Sequence, residues 1–391
     1  MPERDVLIIT SYYPPEIGAA SNRIYHLAHG LKNKGFKVAV ATPLPNYPTG
    51  KIFKAYKGQL KNTSTEQGVK IYRLWIYACN SKNKLLRLFA MLSYSFSLIW
   101  FFIFCKIPKT VIVQSPPLLV AFTCMLFLKS KHRNLILNVS DLWPIAGLEL
   151  GALTKNLNYK ILEHIETFNY KRADLILGQS KEIIKHVKSI APNKSTLLYR
   201  NYPIIEHSIP NLKNNKSEKI KMVYAGLLGI AQGIFKLCET LDYSNIEFHI
   251  YGAGAEQSKI EDFIKRHPQL PITFHGELCR HELHKALYKY DITIIPLLNR
   301  IYGSVPSKIF EYAKLGLPML YFGGGEGEDI IKQHHLGWVV EAGNYSQLNQ
   351  TINSLSHKDF TSELNTAISE TARIHFNLNT QLDILTEKLK T

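Results

Sequence analysis

Short apolar runs alternate along this chain with stretches in which apolar residues recur every three or four positions. Residues 6–10 (VLIIT) are the first run and read as a buried strand. A Pro/Gly loop follows at 11–20 (SYYPPEIGAA). Residues 22–34 carry Ile24, Leu27, Ala28 and Leu31 at helical spacing, Gly35 ends that helix, and 37–42 (KVAVAT) is the next strand. A βαβ opening of this kind predicts a parallel sheet. The alternation continues with strands at 69–75, 110–114, 134–139 (NLILNV), 174–178 (DLILG) and 195–199, and with helices at 85–105, 118–128, 157–173 and 181–189.

Residues 203–219 break the pattern with prolines, asparagines and lysines and read as a linker. A second alternating series follows, with strands at 221–225, 247–251, 272–275, 291–296, 318–322 and 337–340. Helices are expected at 234–241, 258–266, 280–288, 306–314 and 329–334, and helical segments fill the remainder. The fold class is α/β: two Rossmann-like domains, 1–203 and 204–374, with a last helix at 375–391 expected to return to the first. Two such domains facing each other would hold a ligand in the cleft at the C-terminal ends of their strands.

The chain has 391 residues, enough for two cores, and a net charge of +16. That charge favours anionic partners such as nucleic acid, acidic lipid or phosphorylated small molecules, or else describes a solvated basic surface. No nucleic-acid-binding motif is present, which argues against that partner. Five scattered cysteines show no metal spacing and read as reduced thiols of a cytosolic protein. The start of the chain has no signal-peptide layout. Residues 85–105 (LLRLFAMLSYSFSLIWFFIFC) are about as long as a spanning helix. Strand-like segments on both sides favour a buried or surface-seated helix instead. A third option is a helix lying on the bilayer, with Lys82, Lys84, Arg87, Lys106 and Lys109 at lipid head groups.

The segment with most chemistry is 302–322 (YGSVPSKIFEYAKLGLPMLYF), read as loop, helix, glycine turn and strand. Pro306 suits a first helical position. A helix beginning there aims N–H groups and a positive dipole end at one spot, to which Lys308 adds charge for a phosphate. Glu311, one turn in, is badly placed for a phosphate but suits ribose hydroxyls. The plainer reading is an amphipathic helix with surface Lys and Glu. Gly18 lets a backbone approach a phosphate closely, or makes a simple strand-to-helix turn. Asp141, at the end of a strand, suits a base, a sugar ligand or a cap.

Pro306, Ser307, Lys308, Glu311, Tyr312, Gly316 and Pro318 match the P-S-K-x-x-E-Y-x-x-x-G-x-P stretch of GT-B glycosyltransferases of family 4, which this chain resembles. The resemblance extends in order to 10–23, 138–144 (NVSDLWP), 224–233 (YAGLLGIAQG), 251–254 and 274–283. DLWP and AGxxGxAQG resemble the O-antigen and capsule subgroup, including N-acetylfucosaminyl-type enzymes. Two departures stand out. The first of the family's two glutamates, a donor-sugar contact, falls at Gly303, and the loop after Gly226 carries Leu227, Leu228 and Gln232 in place of Arg and Lys.

The resemblance implies a retaining, metal-independent transferase that needs no cofactor beyond its nucleoside-diphosphate sugar, with UDP favoured. Donor nucleotide and phosphate contacts carry over to Gly18, Ala19, Gly226, Gly229, Ser304, Val305, Pro306, Ser307, Lys308 and Glu311. Asp141 takes the donor sugar or, second, base work. Arg23 and His26 are acceptor-side candidates, with a surface role as the alternative. The implied acceptor is a lipid-diphosphate-linked saccharide of bacterial surface polysaccharide, met by a cytoplasmic protein peripheral to the inner membrane face with its anionic surface. A nucleotide-sugar epimerase of the same fold is the rival enzyme. No Asp-x-Asp triplet or P-loop is present.

Overall fold

The computed structural model describes residues 5–81, 83–205, 218–298 and 300–390. Lys82 and positions 206–217, most of the expected linker, lie outside the described residues. The chain divides into two compact units, one of residues 1–201, 302–304 and 378–391, the other of residues 202–301 and 305–377.

In the first unit, β1 (Asp5–Ile9), β2 (Lys37–Pro43), β3 (Lys61–Glu66), β4 (Val69–Leu74), β5 (Thr110–Ser115), β6 (Asn134–Val139), β7 (Leu175–Gly178) and β8 (Ser195–Leu198) form one sheet. Their order is β3-β4-β2-β1-β5-β6-β7-β8. All neighbours pair in parallel except β3 and β4. The sequence pattern did not anticipate β3. Its residues, KNTSTE, are polar throughout and alternate between exposed and half-buried, so an edge pairing rather than an apolar face makes it a strand. A short helix at Ile145–Glu149 is likewise additional.

The inner strands are apolar on both faces because helices cover them. Helix α1 (Ala19–Asn33) buries Ile24, Leu27, Ala28 and Leu31, the four apolar positions of its sequence pattern. It meets the last helix, Leu378–Lys390, closely enough that a Cβ on Gly30 would come within 2.4 Å of Leu382. Gln381 accepts from the Arg200 N–H at 2.7 Å and donates to the Arg200 carbonyl at 2.9 Å, fixing that helix to the end of β8. Helices α2 (Lys84–Phe104) and α3 (Leu118–Leu128) pack in a core cluster with Leu7, Ile9 and Val113 through Tyr94, Leu98, Phe101, Ala121 and Cys124.

The second unit has six parallel strands: β9 (Ile220–Ala225), β10 (Ile246–Tyr251), β11 (Ile272–Phe274), β12 (Ile292–Pro296), β13 (Met319–Phe322) and β14 (Gly337–Val340). Their order is β11-β10-β9-β12-β13-β14. Each sheet reverses its direction of growth beside its first strand, β1 or β9. Parallel sheets leave a crevice at such a point, where the flanking loops depart to opposite sides. Gly18 follows β1 and Gly226 follows β9. Both units are therefore Rossmann-like, with a glycine loop at the switch point.

Candidate functional site

In the first unit a cavity of about 290 Å³ is lined by Gly18, Ala19, Tyr47, Gln114, Ser140 and Asp141, among others. The sequence-expected Gly18, Ala19 and Asp141 thus come together. Gly18 is extended, and a Cβ there would meet only Tyr47, at 3.9 Å. The protein itself leaves the space beside it open. No side chain caps α1 and its first turn has no acidic residue, so its leading N–H groups keep their positive end. Burial raises the pKa of Asp141, against the opposing pull of Arg23 and the Ser140 hydroxyl.

Arg23 is not a surface residue. It is 3% exposed, and its guanidinium donates to Gln179 Oε1 at 3.0 Å, Asn138 Oδ1 at 2.6 Å and the Tyr199 carbonyl at 3.0 Å. The polar chain continues from Asn138 Nδ2 to Gln114 Oε1 (2.7 Å) and from Gln114 Nε2 to Ser140 Oγ (2.8 Å), which brings it to the cavity wall. Arg23 thus orders the wall beside Asp141 from behind. Asn138 and Gln114 had a signal in the sequence: each is an amide that directly follows an apolar run within a strand, Leu135–Leu137 and Val111–Val113. His26 is half-buried beside Tyr25 and is not among the residues lining this cavity.

In the second unit Gly226, Lys308 and Glu311 come together. The helix expected from 306 begins at Lys308, with Ser307 as its cap residue (Lys308–Lys314), because Pro306 and Ser307 form only its lead-in turn. A Cβ on Gly226 would stand 2.9 Å from Lys308 Cε, so glycine there makes room for the lysine stem. The Gly226 N–H donates to the Tyr251 carbonyl at 3.0 Å and the Leu228 N–H to the Ala253 carbonyl at 2.9 Å, so neither amide faces a ligand. Gly229 adjoins the Gln232 amide, its carbonyl accepting the Gln232 N–H. Gly252, at φ +139°, abuts Gly226: an added Cβ would lie 1.8 Å from the Gly226 oxygen.

The Lys308 ammonium lies 5.3 Å from the Tyr312 ring centroid, and no described carboxylate pairs with it. Burial lowers its pKa, Arg280 adds to that, and Glu311 opposes it. Glu311 accepts from His284 Nε2 at 2.8 Å and Arg280 Nε at 3.2 Å, both at Oε1. Burial would raise its pKa, but His284, Lys308 and Arg280 outweigh that and hold it at about 2. The carboxylate is thus ionised and fixed. Arg280 and His284 were missed as site residues, although their four-residue spacing places them on one face of a helix the sequence pattern contains.

The remaining positions divide. The Val305 side chain is buried in the apolar cluster that also holds Ile309 and Tyr312. Tyr302–Ser304, including the expected donor residue Ser304, belong to the first unit. There the Gly303 N–H donates to Glu182 Oε2 at 2.9 Å, and the Ser180 hydroxyl donates to the Gly303 carbonyl at 2.7 Å. Gly303 has φ +85°, and a Cβ would lie 3.0 Å from Ile183 and 3.1 Å from Leu142. The glutamate absent from this position would have neither backbone conformation nor space.

Residues 207–375 match the family model described as glycosyl transferases group 1. No curated protein matches the chain. Among solved structures, sucrose-phosphate synthase from Thermosynechococcus elongatus superposes with a TM-score of 0.75 at 12% identity, covering 99% of this chain and 98% of that one. WaaG, a glycosyltransferase involved in lipopolysaccharide biosynthesis, gives 0.62 at 14% identity, covering 97% and 98%. Anabaena HepE, solved with UDP and glucose, gives 0.66 at 13% identity, covering 99% and 100%. At these identities the likeness shows the GT-B fold alone.

Proposed function

We propose that this glycosyltransferase, whose second unit is a group 1 glycosyl transferase domain, moves a sugar from a nucleoside-diphosphate donor to a lipid-diphosphate-linked saccharide. The observation that carries the reading is the trio of Gly226, Lys308 and Glu311 inside the matched segment. A desolvated ammonium without a carboxylate partner suits a phosphate oxygen. A fixed, ionised carboxylate one turn along suits the hydroxyls of a ribose. HepE, of the same fold, binds UDP, which supports a uridine donor.

Transfer proceeds with retention and without a metal. The donor's anomeric carbon–oxygen bond breaks, the sugar bonds to the acceptor oxygen, and the departing diphosphate takes up the acceptor's proton. Lys308 and the N–H groups of Ser307 and Lys308 stabilise the diphosphate charge, and in the first unit the uncapped first turn of α1 at Gly18 and Ala19 suits an anion. Asp141, in the cavity of the first unit, suits the hydroxyls of a sugar. The protein acts chiefly by positioning and electrostatic stabilisation. We place the reaction in bacterial surface polysaccharide synthesis, O-antigen or capsule, at the inner membrane face. The DLWP segment and the resemblance to N-acetylfucosaminyl-type enzymes support that setting.

The test is nucleotide release from UDP- and GDP-sugars with a panel of lipid-linked acceptors. Release dependent on acceptor is expected; none with any pair would sink the reading. A sugar epimer formed without acceptor would favour the epimerase. Glu311→Ala with full donor affinity would remove the site assignment and leave the activity standing.

A further inference from the structure

We infer that helix α2, with its neighbour α3, is a bilayer-docking surface that lies flat in the interface of an anionic membrane. The inference deepens the membrane-face reading above by naming the surface and the lipid. It rests on an apolar face, a rigid mounting and a one-sided charge distribution.

Helix α2 is apolar on two opposite sides. Ala90, Tyr94, Leu98 and Phe101 turn inward and are buried. Leu85, Phe89, Leu92, Phe96, Trp100 and Phe104 recur every three or four residues on the outer side, with exposures from 47% at Leu92 to 74% at Leu85. Trp100 stacks on Phe104 at 5.2 Å and meets Phe96 edge-on at 6.3 Å, so the outer stripe is continuous. On α3, Leu126 and Phe127 are also exposed. A 21-residue helix is about 31 Å long. An uncovered apolar stripe of that length marks a surface that something else covers.

The mounting is rigid. The Tyr94 hydroxyl lies 2.9 Å from the Thr10 carbonyl and 3.1 Å from that of Ala41, and the Ser93 hydroxyl accepts the Tyr77 N–H at 2.9 Å. The inner face of α2 is tied to the sheet, so the helix meets lipid side-on. Among the described residues no helix is long and apolar enough to cross a membrane.

Charge selects the occupant. Residues 67–140 contain ten Lys and Arg and no Asp or Glu. Lys106 and Lys109 are exposed just past the end of α2, and Lys131 just past α3. The two ends adjoin, since Arg133 Nε donates to the Pro108 carbonyl at 3.3 Å and the Asn134 N–H to that of Lys109 at 2.7 Å. An aromatic stripe with a basic end fits acyl chains below anionic head groups.

The inner side of α2 adds a functional link. Ala90, Met91 and Tyr94 line a cavity of about 470 Å³, and Tyr12 and Tyr47 border both this cavity and the one that holds Asp141. A single helix then touches the bilayer on one side and the approach to the reaction site on the other.

The experiment is flotation of the full chain with phosphatidylcholine vesicles, with and without phosphatidylglycerol. The wild type should float with the anionic vesicles and roughly tenfold less with the neutral ones. The triple variant Phe96→Ser, Trp100→Ser, Phe104→Ser should lose flotation while keeping its melting temperature and its affinity for UDP. Ile374→Ser, which removes an exposed apolar residue of the second unit, should float as the wild type does. Unchanged flotation of the triple variant overturns the inference. So does a wild type that ignores anionic vesicles, or one that self-associates through this stripe in lipid-free buffer. UDP binding separates the two readings: its absence in a wild type that floats counts against the transferase site alone.

Discussion

Nε2 of His284 stands 2.8 Å from Oε1 of Glu311, and the two residues come from different helices of the second unit. An ionised carboxylate only accepts, so the ring nitrogen donates. Glu311 is therefore held as an anion first by a neighbour 27 residues away in sequence, with Lys308 of its own helix adding to the effect.

That arrangement sets an acid limit. Glu311 is held at about 2, against an ordinary value of 4.5. Its contribution to stability is complete above pH 4.5 and is lost as the pH falls towards 2, and its size is on the order of 2–3 kcal/mol. Glu311→Gln should be less stable than the wild type at pH 7, and the gap in urea midpoint should narrow as the pH is lowered from 5 to 3. A constant gap would mean that the carboxylate is not held by charge.

Lys308→Met keeps the stem beside Gly226 and removes the charge. Donor affinity should fall roughly 10- to 100-fold, or about 1.5–3 kcal/mol, as for a hydrogen bond to a charged group. Thermal stability without ligand should change little, because relief from desolvating the ammonium is offset by the loss of its pull on the Glu311 carboxylate. Isothermal titration with UDP and a melting curve check both halves.

Restoring the family's glutamate at position 303 should damage the protein rather than improve it. Gly303→Glu forces a side chain into a left-handed conformation against Ile183 and Leu142, at a cost of about 1–3 kcal/mol or more. The urea midpoint should fall with no gain in sugar-donor affinity. A variant as stable as the wild type that binds the donor sugar more tightly would refute this.

Asp141→Asn should separate stability from activity. Burial raises the pKa of the native carboxyl, so its charged form is disfavoured in the fold. That contribution is favourable at low pH and is lost as the pH rises and the group ionises. The asparagine variant should melt at the same temperature or higher near pH 7 while transfer falls at least about tenfold, or 1.4 kcal/mol. Equal loss of both would make Asp141 a structural residue.

Much of this was legible in the chain. The inner strands are near-continuous apolar runs, and 118–128 and 134–139 fall where the spacing puts them. Strand β3 was not legible, because its pairing with β4 comes from an edge and not from an apolar face. The setting of Arg23 was hidden for another reason. A charged residue on an amphipathic helix reads as exposed, and only partners more than a hundred residues away show it to be enclosed. The same distance hid the link between Gly303 and Ser180. Propensity and period report local structure; the chemistry of Arg23, Gly303 and Glu311 is set by remote partners.

A final consequence follows from Lys308. The empty protein keeps a desolvated cation that Glu311 steadies only through space and that no described carboxylate pairs with directly, and an arriving diphosphate supplies a direct partner. Donor binding then strengthens the fold as well as starting the reaction. In a cell short of sugar nucleotide more of this protein would stand open to proteolysis, and its abundance would follow the supply of its substrate without any dedicated regulator.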